Sequence, residues 1–424
     1  MAYQTMRGFY DILPEKSEAW LKMESLIRTM CTLYDYDEIR TPIVEDTKVF
    51  KRENDSSDMV NKEMYSFVMG KDNYTLRPEG TAGVIRSFVE HKFYGSMELP
   101  AKLYYIGPMF RHERPQKGRQ RQFHQFGIEN IGLMSPLADA ECIALGYSIL
   151  KAFGLKSIKV LINTLGDDES RANYRSALKE HFAASLDELC DDCKRRYEQN
   201  PLRILDCKVD HDKKSVQTAP KLLDYLNESS RAYFGQVLKM LETLGIPYEI
   251  DDKLVRGLDY YTHTVFEVVS LHEDSGSQST IFGGGRYDHL VEYFGGPSLS
   301  GVGFAIGLER LMMLIEAEGQ QLTEEKSLDV YVMSLGDCQA KALEIATILR
   351  SNGYKCEANL QARSMKSQFK SVDRKKAKYM IVAGEDEIAK DCYTIKDLAT
   401  KQEYPTTLAN MVEVLDGLIE GEEI

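Results

Sequence analysis

Apolar positions along the chain change spacing from segment to segment. Between residues 15 and 35 they recur at helical spacing through Trp20, Met23, Leu26, Ile27 and Met30, which predicts an amphipathic helix. YDEIRTPIVED then reads as a strand, and because Pro42 donates no ladder hydrogen bond it belongs at an edge or interface. LRPEGTAGVIRSFVEH is a turn opening into a helix. AKLYYIGPMFRHE and QFHQFGIENIG are apolar strands flanking a basic stretch, and predict an antiparallel hairpin with a long basic tip. From about 160 to 250 the pattern turns helical and charged, marking an insertion at about 170–230 into a first domain. Strand patterns return at KLVRGLDYYTHTVFEVVS, IFGGGRYDHLVEYFG and SGVGFAIGLERLMMLIEAEG, and the polar EGQQLTEEKS follows as a linker. Beyond it strands and helices alternate, as in a small α/β domain with a mainly parallel sheet. The expected domains are residues 1–325 and 326–424.

Composition narrows the class. A chain of 424 residues, 43% hydrophobic, buries ample core for two or three domains. It contains no apolar run of about 18 residues and opens without an apolar leader, so no membrane span or secretory signal is expected and the cytoplasm is the expected compartment. A net charge of −13 disfavours nonspecific adhesion to nucleic acid. Two basic islands interrupt this background. FRHERPQKGRQRQFHQ sets Arg111, Arg114, Lys117, Arg119 and Arg121 against Glu113 alone, and residues 361–378 set seven cations against Asp373.

The eight scattered cysteines read as reduced thiols. Cys190, Cys193, Cys207 and His211 form C-x2-C-x13-C-x3-H, a spacing that could hold zinc. The favoured reading is three thiols and a surface histidine in a small helical insert, and no metal-ligating residue is assigned.

Candidate chemistry gathers in the glycine-rich strands. In SGVGFAIGLER, Gly301, Gly303, Ala305 and Gly307 share one bare strand face on which a flat ring can lie, while Val302, Phe304, Ile306 and Leu308 face a core. Arg310 follows at the start of a helix, placed to stack on that ring or reach a phosphate. The three glycines of IFGGGRYD imply a tight turn or close ligand approach. In QFGIE, Gln125 and Glu129 flank a gap at Gly127, which costs energy unless something fills it. In RPEGT, Glu79 and Thr81 flank Gly80 before a helix; they could cap it or hold an ammonium. LVRGLDYY supplies Arg256 and two phenols, Tyr260 and Tyr261, which point to opposite faces if the strand is regular. Carboxylates for a cation, arginines for phosphates and a bare surface for a base suit an amino acid plus a nucleotide.

RGFYDILPE, LRPEGTAGVIRS, FRHERPQKGR, RQFHQFGIE, LVRGLDYY, GGGRYD and GFAIGLERL, in this order, resemble bacterial histidyl-tRNA synthetases, members of the class II aminoacyl-tRNA synthetases. The resemblance implies an α+β catalytic domain, a six-stranded antiparallel sheet flanked by helices, with a helical insertion and a C-terminal α/β anticodon-binding domain. It also implies a homodimer whose interface motif runs through Pro42. Matched by position, Glu79, Gly80, Thr81 and Gln125 would hold the α-ammonium of L-histidine, and Glu129 with Tyr260 and Tyr261 would read its imidazole. Arg111 would bind the substrate carboxylate and the α-phosphate of ATP, with Arg256 across that phosphate; these two are the expected catalytic groups. Glu113 would orient ATP, and Arg119 and Arg310 would meet its β- and γ-phosphates, Arg310 also stacking on adenine. Mg²⁺ would bridge the phosphates with few protein ligands. Arg114, Lys117 and Arg121 would face the acceptor end of tRNA(His), and Lys366, Lys370, Arg374 and Lys375 its anticodon stem. The competing readings are a catalytically inactive regulatory paralogue from histidine biosynthesis and a pure RNA-binding module. The complete arginine set argues against the first and the histidine-shaped polar set against the second.

Overall fold

The computed structural model describes residues 3–51, 59–256, 260–273, 279–323 and 326–420. They form two compact units, Met1–Thr323 and Glu324–Ile424. The first is built on an eight-stranded sheet in the order Asp37–Glu38, Ala101–Phe110, Gln122–Ile131, Gly301–Gly307, Thr280–Tyr287, Thr262–Ser270, Ile158–Thr164 and Tyr248–Ile250. The six inner strands are antiparallel throughout, and only the two short edge strands pair in parallel.

Alternation decides which face is buried. Phe126, Ile128, Phe266, Val268, Phe282, Val302, Phe304 and Ile306 all point to one side, where the helices Pro14–Leu33 and Pro136–Ala152 cover them. Their rings form a ladder across four strands, with centroids 5.8 Å apart for Phe126–Phe304, 4.9 Å for Phe282–Phe304 and 6.2 Å for Phe266–Phe282. Such pairs contribute roughly 0.5–1.5 kcal/mol each beyond area burial. Gly146 lets the covering helix approach, since a Cβ there would sit 2.5 Å from the Phe282 ring. Trp20, Met23 and Ile27 are buried on the first helix, as its spacing requires.

YDEIRTPIVED is two strands rather than one. Asp37–Glu38 stops before Pro42, and the chain resumes as Val44–Asp46 in a separate three-stranded sheet with Tyr65–Met69 and Asp72–Leu76. Proline between them breaks the ladder. The hairpin Ala101–Phe110/Gln122–Ile131 pairs in one unbroken register from Ala101 opposite Ile131 to Phe110 opposite Gln122.

The insertion carries the helices Asp168–Ala183 and Asp191–Gln199 around its own core of Tyr174, Leu178, Phe182, Cys193, Leu202, Ile204 and Cys207. Helix Glu228–Thr243 returns the chain to the main core through Phe234, Val237 and Leu241.

The second unit has a five-stranded sheet in the order Cys356–Ala358, Val330–Ser334, Tyr379–Ala383, Tyr393–Asp397 and Glu403–Thr406. The first three strands are parallel and the last two antiparallel, so the sheet is mixed rather than mainly parallel. A parallel return needs a crossover of about a dozen residues or more, and the links from Ala383 to Tyr393 and from Asp397 to Glu403 are too short for one.

Candidate active site

The site lies on the sheet face opposite the phenylalanines. Register sets Tyr105, Gly127, Ala305, Gly283 and Glu267 side by side across five strands. A Cβ on Gly127 would collide with the Tyr105 phenol, and one on Gly283 would lie 2.6 Å from Nη1 of Arg256. The phenol therefore rests on one glycine and the guanidinium on another, with Ala305 forming open floor between them. In the adjacent row Glu129 lies opposite Gly303, which lies opposite Gly285. A Cβ on Gly303 would meet the Glu129 carboxylate and a Cβ on Gly285 would come within 2.9 Å of the Tyr261 ring.

Two expectations change here. The glycine run at 283–285 is not a turn; it is the middle of a central strand, with atoms of the site or a neighbouring strand against each glycine and Gly283 lining the cleft. The gap in QFGIE is real, but Tyr105 fills it. Its hairpin neighbour Gly127 is the only signal that the strand AKLYYIGPMF carries for this role, and that signal needs the register to be read.

At the closed end of the cleft, Glu79 and Glu129 are 5% and 1% exposed. Glu79 accepts hydrogen bonds from the backbone N–H groups of Thr81 and Ala82 at 2.6 and 2.9 Å. It is thus the cap of helix Thr81–Glu90, with Gly80 at the cap position because its missing Cβ makes room for the Tyr105 ring. Thr81, released from capping, donates its hydroxyl to Oε1 of Glu129 at 2.6 Å, and Tyr287 donates to Oε2 at 2.6 Å. Burial pushes Glu129 up to about 8, the two hydroxyls pull against this, and Glu79 adds to it. Tyr287, the tyrosine of GGGRYD, has no role predicted from sequence. Beside it Arg286 is fully buried and donates through Nε to Asp139 at 2.8 Å, fastening the strand to the covering helix.

Gln125 lies on the same face and lines the cleft; its buried Oε1 has no hydrogen-bond partner among the described residues. Tyr260 and Tyr261 do not point to opposite faces. The strand begins only at Thr262, and before it both rings turn into the cleft with centroids 4.6 Å apart.

The mouth carries the arginines. Arg111 donates through Nε to the carbonyl of Pro78 at 2.8 Å and lies over the Phe123 ring. Arg119 pairs with Glu113 at 2.8 Å. Arg310, on the first turn of helix Leu308–Ala317, donates to the carbonyls of Gly118 and Thr280 at 3.1 and 2.8 Å. Burial and the repulsion of Arg119 lower its proton affinity. Arg256 pairs with Glu267, whose other oxygen accepts from Thr280. The cleft has a free volume, with its open mouth, of about 1040 Å³.

Of the outer cations, Arg114 and Lys117 are exposed, whereas Arg121 folds back so that its Nε donates to the carbonyl of Glu113. In the second unit Lys366, Lys370 and Arg374 are exposed at four-residue spacing on helix Met365–Arg374, and Lys375 instead pairs with Glu357.

A six-stranded antiparallel sheet with this glycine-lined cleft, followed by an α/β unit, is the catalytic architecture of a class II aminoacyl-tRNA synthetase. Residues 8–311 match the family model described as histidyl-tRNA synthetase, and residues 329–418 match the anticodon-binding domain. The chain belongs to the histidyl-tRNA synthetase family. It is 48% identical to the histidine–tRNA ligase of Oceanobacillus iheyensis over the whole of both chains. With that of Bacillus subtilis strain 168 it shares 48% over 98% of this chain and 99% of the relative. The crystal structure of apo Staphylococcus aureus histidyl-tRNA synthetase superposes with a TM-score of 0.84 at 42% identity, covering 98% of this chain and 100% of that one. A Bacillus halodurans structure titled as an ATP phosphoribosyltransferase regulatory subunit/histidyl-tRNA synthetase shares the fold at 22% identity and a TM-score of 0.65.

Proposed function

We propose that the closed end of the cleft holds L-histidine and the mouth holds ATP, so that the residues described above carry out histidine–tRNA ligation. The observation that carries this reading is the separation of charge along one sheet face. Two buried carboxylates, bonded to neutral hydroxyl and amide donors, sit at one end, and four arginines gather at the other. A buried carboxylate calls for a cation or a strong donor, and clustered guanidiniums call for an anion. A zwitterion beside a triphosphate satisfies both.

Glu79, Thr81 and the orphan oxygen of Gln125 receive the α-ammonium, with Gly80 in the loop between them. Glu129 accepts from an imidazole N–H, and the phenols of Tyr260 and Tyr261 enclose the ring. The histidine carboxylate attacks the α-phosphorus, pyrophosphate leaves, and histidyl-adenylate forms. Arg111 and Arg256 stand at the developing charge, and each is preset by a fixed partner, Pro78 and Glu267, so little reorganisation accompanies the step. Arg119 and Arg310 hold the outer phosphates, with Arg310 across the adenine on the floor of Ala305 and Gly307. The terminal ribose hydroxyl of tRNA(His) then attacks the acyl carbon and AMP leaves.

Mg²⁺ enters with ATP. Glu113 is the carboxylate beside the phosphate-binding arginines, and one such oxygen plus phosphate oxygens is a donor set this ion accepts. It would neutralise phosphate charge.

Arg114 and Lys117 at the hairpin tip meet the acceptor end, with Arg121 shaping the tip, and Lys366, Lys370 and Arg374 meet the anticodon stem. A second copy of the chain covers the face of the small sheet on which Val44, Phe67 and Met69 are 39–64% exposed. The eight free cysteines suit the cytoplasm. Among the described residues no helix is long and apolar enough to cross a membrane.

Histidine-dependent exchange of labelled pyrophosphate into ATP tests the reading. A folded protein that binds tRNA(His) but shows no exchange with histidine would be the inactive paralogue instead.

A further inference from the structure

We propose that Cys190, Cys193, Cys207 and Asp210 bind one structural zinc ion in the insertion. The fold revises the sequence spacing at its fourth member. His211 is turned outward, its Nδ1 2.9 Å from the Lys208 carbonyl and its Nε2 3.2 Å from Asp212. The preceding residue, Asp210, turns inward instead and is fully buried.

One ligand atom from each of the four residues lies within 4.8 Å of the others. Sγ of Cys190 and Sγ of Cys207 are 3.8 Å apart, and Sγ of Cys207 is 3.9 Å from Oδ2 of Asp210. Zinc–sulfur bonds of about 2.3 Å in a tetrahedron require sulfurs about 3.8 Å apart. A disulfide would require about 2.05 Å. The spacing is that of ligands around a metal.

The surroundings prepare the same outcome. Cys190 is the residue preceding helix Asp191–Gln199 and Cys193 lies in its first turn, so one helix start brings both thiols to the same point. Asp210 is oriented by the backbone N–H of Cys190 at 2.9 Å and by Nζ of Lys213 at 2.8 Å, the kind of outer contact that fixes a metal-ligating carboxylate. Cys193 and Cys207 belong to a small core assembled from two helices and several short turns. A core of that kind gains most from a metal staple. The same core includes Leu254 and Tyr261, so the staple buttresses one phenol of the cleft and a neighbour of Arg256.

The test uses the full-length chain, without an affinity tag that binds metal, purified from zinc-supplemented medium without chelators. Elemental analysis is expected to give close to one zinc per chain, and replacement by Co²⁺ the charge-transfer and visible bands of a tetrahedral thiolate site. Because Cys193→Ser puts a hydroxyl into a fully buried core position and is expected to impair folding, Asp210→Asn and His211→Ala supply the comparison. In competition with a zinc-binding dye, Asp210→Asn should hold the ion at least about tenfold more weakly, and His211→Ala should bind as the unaltered chain does. A chain free of stoichiometric zinc, a Cys190–Cys207 disulfide, an octahedral Co²⁺ spectrum, or zinc lost in His211→Ala but kept in Asp210→Asn would each overturn the proposal.

Discussion

Thr81 donates to Glu129 across 2.6 Å, joining the first residue of helix Thr81–Glu90 to the third residue from the end of strand Gln122–Ile131. With Tyr287 on the other oxygen, Glu129 is held by two hydroxyls before any ligand arrives. Tyr287→Phe removes one of them while keeping the ring. With bound histidine donating to an ionised Glu129, a hydrogen bond to that charged group contributes roughly 1.5–3 kcal/mol, or about 10- to 150-fold. Pyrophosphate exchange should therefore show kcat/KM for histidine reduced by that factor and the KM for ATP little changed. Equal effects on both substrates would separate Glu129 from histidine recognition.

Glu129 also gives the fold a pH dependence. Its proton affinity in the folded chain, about 8, exceeds the unfolded value of 4.5, so between those pH values the native state holds a proton the unfolded chain has released. Stability from this group is therefore present at low pH and lost as pH rises through the window. Glu129→Gln lacks this term. The Tm of the variant minus that of the unaltered chain should grow from pH 5 to pH 8, and saturating L-histidine should reduce the growth by stabilising the carboxylate.

Three glycine and arginine variants separate chemistry from folding. A Cβ at Gly283 meets only the movable end of Arg256, whereas one at Gly284 runs into the backbone of Gly303 and Phe304. Gly283→Ala should fold normally and lose adenylation, and Gly284→Ala should fail to fold or unfold well below the unaltered chain. Arg256→His should lower adenylation on the order of 10²–10³-fold with tRNA affinity kept. Circular dichroism, exchange kinetics and filter binding resolve these outcomes.

Lys366, Lys370 and Arg374 are exposed along one helix face, and Lys375 is engaged with Glu357. Replacing the first three by alanine should weaken tRNA(His) binding and flatten its salt dependence, leaving histidine-dependent exchange intact. Lys375→Ala should change binding far less.

Met69 is 64% exposed on the face of the small sheet that also carries Val44 and Phe67. Met69→Asp should shift the protein from dimer to monomer in light scattering behind size exclusion, since an unpaired charge buried in an interface is costly. A monomeric unaltered chain would place the partner of that face elsewhere.

Alternation and turn chemistry in the sequence already determined five of the six inner strands, the sixth, Ile158–Thr164, falling where the pattern turns helical, together with the basic hairpin and the phenylalanine face against the bare face of GFAIG. These follow from interactions within a few residues, where side-chain period and backbone preference are enough. What only the tertiary structure decided depends on register between segments far apart in the chain. Tyr105 fills the gap at Gly127, Arg256 rests on Gly283, Glu79 rather than Thr81 caps the helix, and Tyr287 braces Glu129. The same reason turns Asp210, and not His211, toward the three cysteines: the path of the turn after Cys207 decides which neighbour faces the core, and no spacing in a sequence records that path.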